Sequence, residues 1–287
     1  MTEIWMFPGQ GGQRVGMGAR WWDAAPELVE AADAVLGYSV RDLCENGPQE
    51  RLDDTRYAQP ALYVVGAAAW RAALASGAPA PDVVCGHSLG EYNALECAGA
   101  MDFADGLRLV RRRAEAMAAV TGSGMLAVLG LGWDRLGPLL DPERHGDVSL
   151  AVTNGPRQLV VGGPTPQLRS LATELTDRRI CETRPLRVSG AFHTPLMAPA
   201  AREFAPAAAG LAWSEPAIPV PANVTARPHD RRQLPDLLVR HLTHPVLWHS
   251  TVESLLGLPA PHFREIGGGT ALTGMVRAAR LAATPSN

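Results

Sequence analysis

The chain has 287 residues, 46% of them apolar, 19% charged and 6% aromatic, with a formal net charge of −3. That length suits one large domain or two modest ones, and the mild acidity leaves no electrostatic footprint for nucleic acid. All 26 basic residues are arginine, which excludes a lysine Schiff base, a P-loop lysine and a Ser–Lys dyad.

In chain order, short apolar runs alternate with helical patterns, which predicts an α/β fold with a largely parallel sheet. Residues 4–7 read as a strand entering the glycine-rich turn 8–12. A helix follows Pro26 over 27–36 and ends at Gly37; another covers about 60–75. A short buried strand at 82–85 runs into a tight turn at 86–90, and a helix begins at Glu91. Residues 105–120 carry the apolar stripe Leu107, Val110, Ala114 and Met117, spaced as one face of a helix. From 124 to 188 the rhythm changes to strand 125–130, helix 134–140, strands 148–153 and 158–162, helix 167–176 and strand 180–188. That βαββαβ order is ferredoxin-like, and loops rich in glycine and proline bound it at 121–124 and 189–190. The remainder returns to helices around one strand, 262–266.

The cysteines, Cys44, Cys85, Cys97 and Cys181, lie far apart with no metal-binding spacing, so reduced thiols and no metal are expected. The opening Met1-Thr2-Glu3-Ile4 lacks the basic and apolar regions of a secretory leader. The most apolar run, 62–74, is short for a membrane span and contains Arg71. A cytoplasmic protein with no membrane partner is expected.

Chemistry enters at Gly86-His87-Ser88-Leu89-Gly90, a G-x-S-x-G with a predicted strand before it and a helix after it. This is the setting of a nucleophile elbow, in which small glycines allow a sharp turn and lift the Ser88 hydroxyl above the sheet. The N–H of Leu89 at the helix start then points to a developing oxyanion. Among the other histidines, His145 and His229 stand in polar loops and read as surface residues. His241, His244, His249 and His262 lie in or near helical regions without a small-residue turn. His193, within Val188-Ser189-Gly190-Ala191-Phe192-His193-Thr194-Pro195, has one and leads modestly as the base. No aspartate stands out as a third member, which counts against an ordinary hydrolase. In helix 105–120, Arg112 falls opposite the apolar stripe, while Arg111 and Arg113 flank it and either could reach a pocket.

With these residues assembled, the sequence resembles the malonyl-CoA:acyl-carrier-protein transacylase family over nearly its whole length. The likeness runs through Phe7-Pro8-Gly9-Gln10-Gly11, Gly86-His87-Ser88-Leu89-Gly90-Glu91-Tyr92, residues 108–117, Ser189-Gly190-Ala191-Phe192-His193 and Asn223-Val224-Thr225-Ala226-Arg227-Pro228. Gly37-Tyr38-Ser39, residues 59–65 and Tyr92-Asn93-Ala94-Leu95 are most like the free-standing, trans-acting acyltransferases of polyketide synthases.

The resemblance implies an α/β-hydrolase-like subdomain with a parallel sheet over 1–123 and 189–287, and an inserted ferredoxin-like subdomain over 124–188. It implies a ping-pong transfer of malonyl from malonyl-CoA to the phosphopantetheine thiol of an acyl carrier protein, in polyketide or fatty acid synthesis. Ser88 is then the nucleophile and His193 the base, held by a main-chain carbonyl rather than an aspartate. The N–H groups of Gln10 and Leu89 form the oxyanion hole, and of the flanking arginines Arg113 clasps the malonyl carboxylate. His87, Phe192, Asn154 and Leu247 complete the substrate-binding set, Phe192 matching the small-extender pattern. No bound cofactor is implied, coenzyme A entering only as a thioester, and the chain is expected to be a monomer.

Three positions depart from the family pattern: Gly12 in place of serine, Ala114 in place of glycine, and Leu247 where glutamine or a basic residue is usual. If the residue-247 carbonyl orients His193 the last change is harmless; if its side chain meets the acyl group, selectivity changes. Gly9-Gln10-Gly11-Gly12-Gln13-Arg14 lacks the third glycine of a dinucleotide fingerprint, and Gly267-Gly268-Gly269 lacks a lysine. Three rivals stand: an acyl hydrolase that edits carrier proteins, a carrier-to-carrier shuttle of a non-malonyl acyl group, and an inactive docking module. Arg113 speaks against the first, and the intact Ser88, His193 and Arg113 set against the last.

Overall fold

A computed structural model describes residues 1–283. Strand β1 (Thr2–Phe7) is the centre of a three-stranded parallel sheet, flanked by β2 (Val83–Gly86) and β7 (Pro261–Glu265). Ile4 to Phe7 are wholly buried, as a central parallel strand covered on both faces requires.

Helix α1 (Pro26–Leu36) carries proline in its first turn and ends at Gly37 with φ 79°. Helix α2 (Thr55–Ala75) starts five residues before the predicted 60 because the Asp54 carboxylate caps the N–H of Arg56, placing Pro60 in the second turn. Helix α3 (Gly90–Cys97) leaves the turn after β2, and α4 (Phe103–Ala118) packs against α2 with its predicted stripe buried.

The second sheet is antiparallel, in the order β4 (Ser149–Gly155), β5 (Gln158–Pro164), β3 (Ser123–Leu129), β6 (Glu182–Pro185). Together with helix α5 (Thr165–Asp177) this order is that of a ferredoxin-like unit, with its own core of Leu126, Val128, Val161, Leu168 and Leu171. Two details differ from the sequence reading. The helix predicted at 134–140 divides into Trp133–Leu136 and a 3-10 turn Gly137–Leu139, where Pro138 cannot donate. The last strand is four residues long, and Leu186 and Val188 beyond it turn towards the cleft between the sheets.

After residue 190 come α6 (Ala198–Ala209), α7 (Leu234–His241), α8 (Trp248–Leu256) and α9 (Ala271–Ala283). No helix among the described residues is long and apolar enough to cross a membrane.

Candidate active site

The turn between β2 and α3 is built by exclusion. A Cβ on Gly86 would lie 1.9 Å from the Gly90 carbonyl carbon, and one on Gly90 would lie 2.0 Å from the Phe7 carbonyl oxygen. Only glycines let the helix pass so close to the strand ends, and Ser88 between them takes the left-handed conformation, φ 51°. Asn223 clasps the turn: its Oδ1 accepts the Ser88 N–H at 2.8 Å and its Nδ2 donates to the Gly86 carbonyl at 2.7 Å.

Ser88 Oγ lies 2.7 Å from His193 Nε2. His193 Nδ1 is 2.7 Å from the carbonyl oxygen of His241, which can only accept, so Nδ1 carries the hydrogen and Nε2 is left to take one from serine. That carbonyl belongs to the last residue of α7, where helical carbonyls have no intrahelical partner and the dipole is negative. The orienting group is therefore at 241 and not, as the sequence reading allowed, at 247. The Leu247 carbonyl accepts from Thr251 N–H as α8 begins, and Leu247 does not line the cavity. Burial, reinforced by the nearby His241 and Arg113, holds the His193 imidazole well below its ordinary 6.5, so it stands neutral and able to accept a proton.

The ambiguity on helix α4 resolves by packing. Arg113 is 1% exposed on the flank facing α2; one Nη donates to Gln59 Oε1 and the other to Ser88 Oγ at 3.2 Å. It forms no ion pair among the described residues, and its Nε is buried without a partner. Arg111, on the opposite flank, donates to the Val35 carbonyl of α1 and to Glu115, while Arg112 is exposed.

A cavity of about 340 Å³ opens over Ser88 and His193. One side is the turn 8–12 with His87, Phe192 and the 267–275 segment; the other is an apolar wall of Met125, Val152, Val160, Leu186 and Val188. Arg113 meets this space only at the serine. His87 Nε2 donates to Asn154 Oδ1 at 2.8 Å, joining the elbow to β4, and burial pushes its pKa down to about 4. The N–H groups of Leu89 and Gln10 donate to no protein acceptor among the described residues, while the Gln10 side chain is tied to Thr55 Oγ1.

Two histidines expected at the surface are buried. His145 Nδ1 accepts the Asp141 N–H, and His229 Nε2 meets Glu91 Oε1 at 2.8 Å. Polar neighbours in sequence concealed acid and amide partners supplied by the fold. Sequence reasoning also missed Asn223 as the clasp of the turn, although the Asn223–Pro228 run had drawn attention to the segment. Among the described residues no group of three or more His, Cys, Asp or Glu side chains is placed to hold a metal.

A hydroxyl on a strand–helix elbow, a neutral imidazole against it and unspent N–H groups nearby define a serine-dependent acyl-transfer site. The chain belongs to the acyl transferase domain family, whose pattern it matches over residues 4–266. It is 39% identical over 273 residues to the polyketide biosynthesis malonyl CoA-acyl carrier protein transacylase PksC of Bacillus subtilis, covering 95% of each chain. It is 38% identical over 282 residues to the polyketide biosynthesis protein PksE of the same organism, where the match takes 98% of this chain but spans only 37% of that longer protein. The malonyl CoA-acyl carrier protein transacylase of Burkholderia pseudomallei superposes with a TM-score of 0.95 at 39% identity, over the whole of both chains.

Proposed function

We propose that this acyltransferase moves a malonyl group from malonyl-CoA to the phosphopantetheine thiol of an acyl carrier protein, serving polyketide or fatty acid synthesis in the cytoplasm. The observation that carries the reading is Arg113: a buried guanidinium with Nη2 at the candidate nucleophile and, among the described residues, no carboxylate partner and no hydrogen-bond partner for Nε. A buried cation is costly unless an anion meets it, and a malonyl carboxylate delivered with the thioester is such an anion.

In this mechanism Ser88 Oγ attacks the thioester carbonyl as its proton passes to His193 Nε2. The oxyanion sits against the N–H groups of Leu89 and Gln10. The C–S bond breaks, and the imidazolium returns the proton to the leaving coenzyme A thiolate. The carrier's phosphopantetheine thiol then gives its proton to His193 and attacks the acyl-serine, and Ser88 Oγ recovers the proton as it leaves. The helix-end carbonyl of His241 supports the imidazolium in the role an aspartate has elsewhere. His87, Asn154 and Phe192 bound the acyl pocket, and no bound cofactor takes part. The two separate sheets, and a second core on one face of the antiparallel sheet, support a catalytic unit of 1–123 and 189–287 carrying a small unit of 124–188; we read the chain as a monomer.

The Ala114 and Leu247 departures, on which a non-malonyl shuttle would rest, bear little on the pocket because neither residue lines it, whereas Gly12 does line it and leaves open the space that a serine side chain would take. Intact-protein mass spectrometry after mixing with malonyl-CoA tests the reading. One malonyl mass should be added, and Ser88→Ala should abolish it; an adduct that survives the substitution refutes the assignment.

A further inference from the structure

Three residues beyond the candidate nucleophile, Glu91 is 1% exposed, although the transfer chemistry makes no use of a carboxylate there. Its Oε1 accepts the His229 Nε2–H at 2.8 Å and the Asn223 N–H at 3.0 Å, while Oε2 lies 2.7 Å from His241 Nδ1. Burial by itself would raise its pKa, but the two imidazoles outweigh it and hold the carboxyl well below its usual range, as an anion. Neither ring nitrogen of His241 meets hydrogen-bond geometry with a described residue, but Nδ1 lies 2.7 Å from the Glu91 carboxylate and Nε2 has no acid beside it, which favours the ring hydrogen on Nδ1.

Two of the three partners of Glu91 reach the reacting pair. The His241 ring lies against the His193 ring with centroids 4.7 Å apart and planes at 22°, while its carbonyl holds His193 Nδ1. Asn223, docked on Glu91 through its N–H, clasps the Ser88 turn through its side chain. One carboxylate on α3 thus anchors both the seat of the imidazole and the clasp of the hydroxyl.

We propose that Glu91 and the side chain of His241 are positioning residues of the acyl transfer, fixing the carbonyl and the ring face that hold His193 against Ser88. The proposal rests on the Ser88–His193 reading above. A carbonyl on the last residue of an eight-residue helix is at the end where helices fray, so the contact with a buried anion restrains it. The stacked ring also bars rotation of His193 away from the serine. Displacement by about 1 Å can cost on the order of 100-fold in rate.

The test uses the full chain with His241→Leu, His241→Gln and Glu91→Gln. It reads the rate of malonyl-enzyme formation per folded molecule, KM for malonyl-CoA, the thermal midpoint and the pH profile. His241→Leu should lower kcat for acylation by roughly 10- to 100-fold with KM little changed. His241→Gln keeps an N–H for Glu91 and should recover most of that loss. His193 is faced by His241, Arg113 and His87, and His241 in turn by Glu91, His229 and Arg113. Removing the imidazole nearest His193 should therefore move the acid limb of the His241→Gln profile to higher pH. Glu91→Gln should slow acylation about tenfold; if it does not fold, the two His241 variants decide. Wild-type acylation rates per folded molecule in all folded variants, with only the thermal midpoint lowered, overturn the proposal. If the unaltered protein forms no malonyl adduct, the acyl-group reading fails instead. Labelling of Ser88 by a fluorophosphonate then decides the positioning role, and equal rates in all four proteins overturn it.

Discussion

Arg113→Ala puts acyl-group choice to the test, since malonyl differs from acetyl by one carboxylate and selectivity must come from a group that meets that charge. Arg113 presents Nη2 at 3.2 Å from Ser88 Oγ and a buried, unpartnered Nε, two donors on one edge of a planar fork. A charge-assisted contact of this kind contributes about 1.5–3 kcal/mol, or roughly 10- to 200-fold in rate. Competition between malonyl-CoA and acetyl-CoA, read by the mass added to the protein, should show kcat/KM for malonyl falling by that factor. Acetyl transfer should stay similar or improve, because the substitution also removes a desolvated charge. Arg112→Ala should change neither, and Arg111→Ala should also be silent, because Arg111 is held at the surface by Glu115 and the Val35 carbonyl. A loss of malonyl transfer in Arg111→Ala with Arg113→Ala intact would refute the assignment. An unchanged malonyl-to-acetyl ratio in both would mean that the natural acyl group carries no carboxylate.

His193→Ala should slow acylation by roughly 10²–10⁴-fold, and in the unaltered protein the acid limb of the pH–rate profile should fall well below 6.5, since His193 must be neutral to take the serine proton; a limb at or above 6.5 contradicts this. His87 predicts acid lability. The unfolded imidazole gains its proton near 6.5 and the folded one only near 4, so stability should be complete above pH 6.5 and decline towards pH 4. The loss is up to about 3 kcal/mol from this residue, less where the ring faces the open cavity, and a denaturation midpoint independent of pH over that interval would disprove it. Arg14 and Arg20 stand beside the cavity mouth without acidic partners among the described residues, so transfer to an acidic carrier protein should weaken with added salt more than self-acylation does; equal sensitivity of the two half-reactions would count against carrier docking there.

Local constraints were legible in the sequence, and tertiary ones were not. The elbow at Ser88 could be recognised because its requirement for glycine on both sides is written into five consecutive residues. The ferredoxin-like order was legible from the alternation of periods between 124 and 188. The helical wheel could exclude Arg112 but not choose between Arg111 and Arg113, since both flank the stripe and only the neighbours, α1 on one side and α2 on the other, differ. The carbonyl that orients His193 left no sequence signal, because any residue supplies one; a family pattern drew attention to Leu247, while the helix end falls at His241. His229 and Glu91 are 138 positions apart, so neither hints at the other, and a histidine among polar residues reads as solvated until its acid partner is seen.

The cleft divides its labour between two bodies. Everything that makes and breaks bonds, with the cation for the acyl carboxylate, stands around the parallel sheet, while the apolar wall of Met125, Val152, Val160, Leu186 and Val188 is lent by residues 124–188. The antiparallel sheet keeps a core of its own on one face, packs Met125, Val152 and Val160 into the main core with the other, is bridged along β4 to Val246, and reaches the elbow through the hydrogen bond of Asn154 to His87. The wall is therefore exchangeable where the imported segment matches the face it packs on. A chimera that imports the 124–188 segment of a relative, keeping Asn154, can alter the room above Ser88 while leaving the nucleophile, its base and the arginine where they are. Such a graft offers a handle for re-tailoring extender-unit choice that point substitutions around the serine do not.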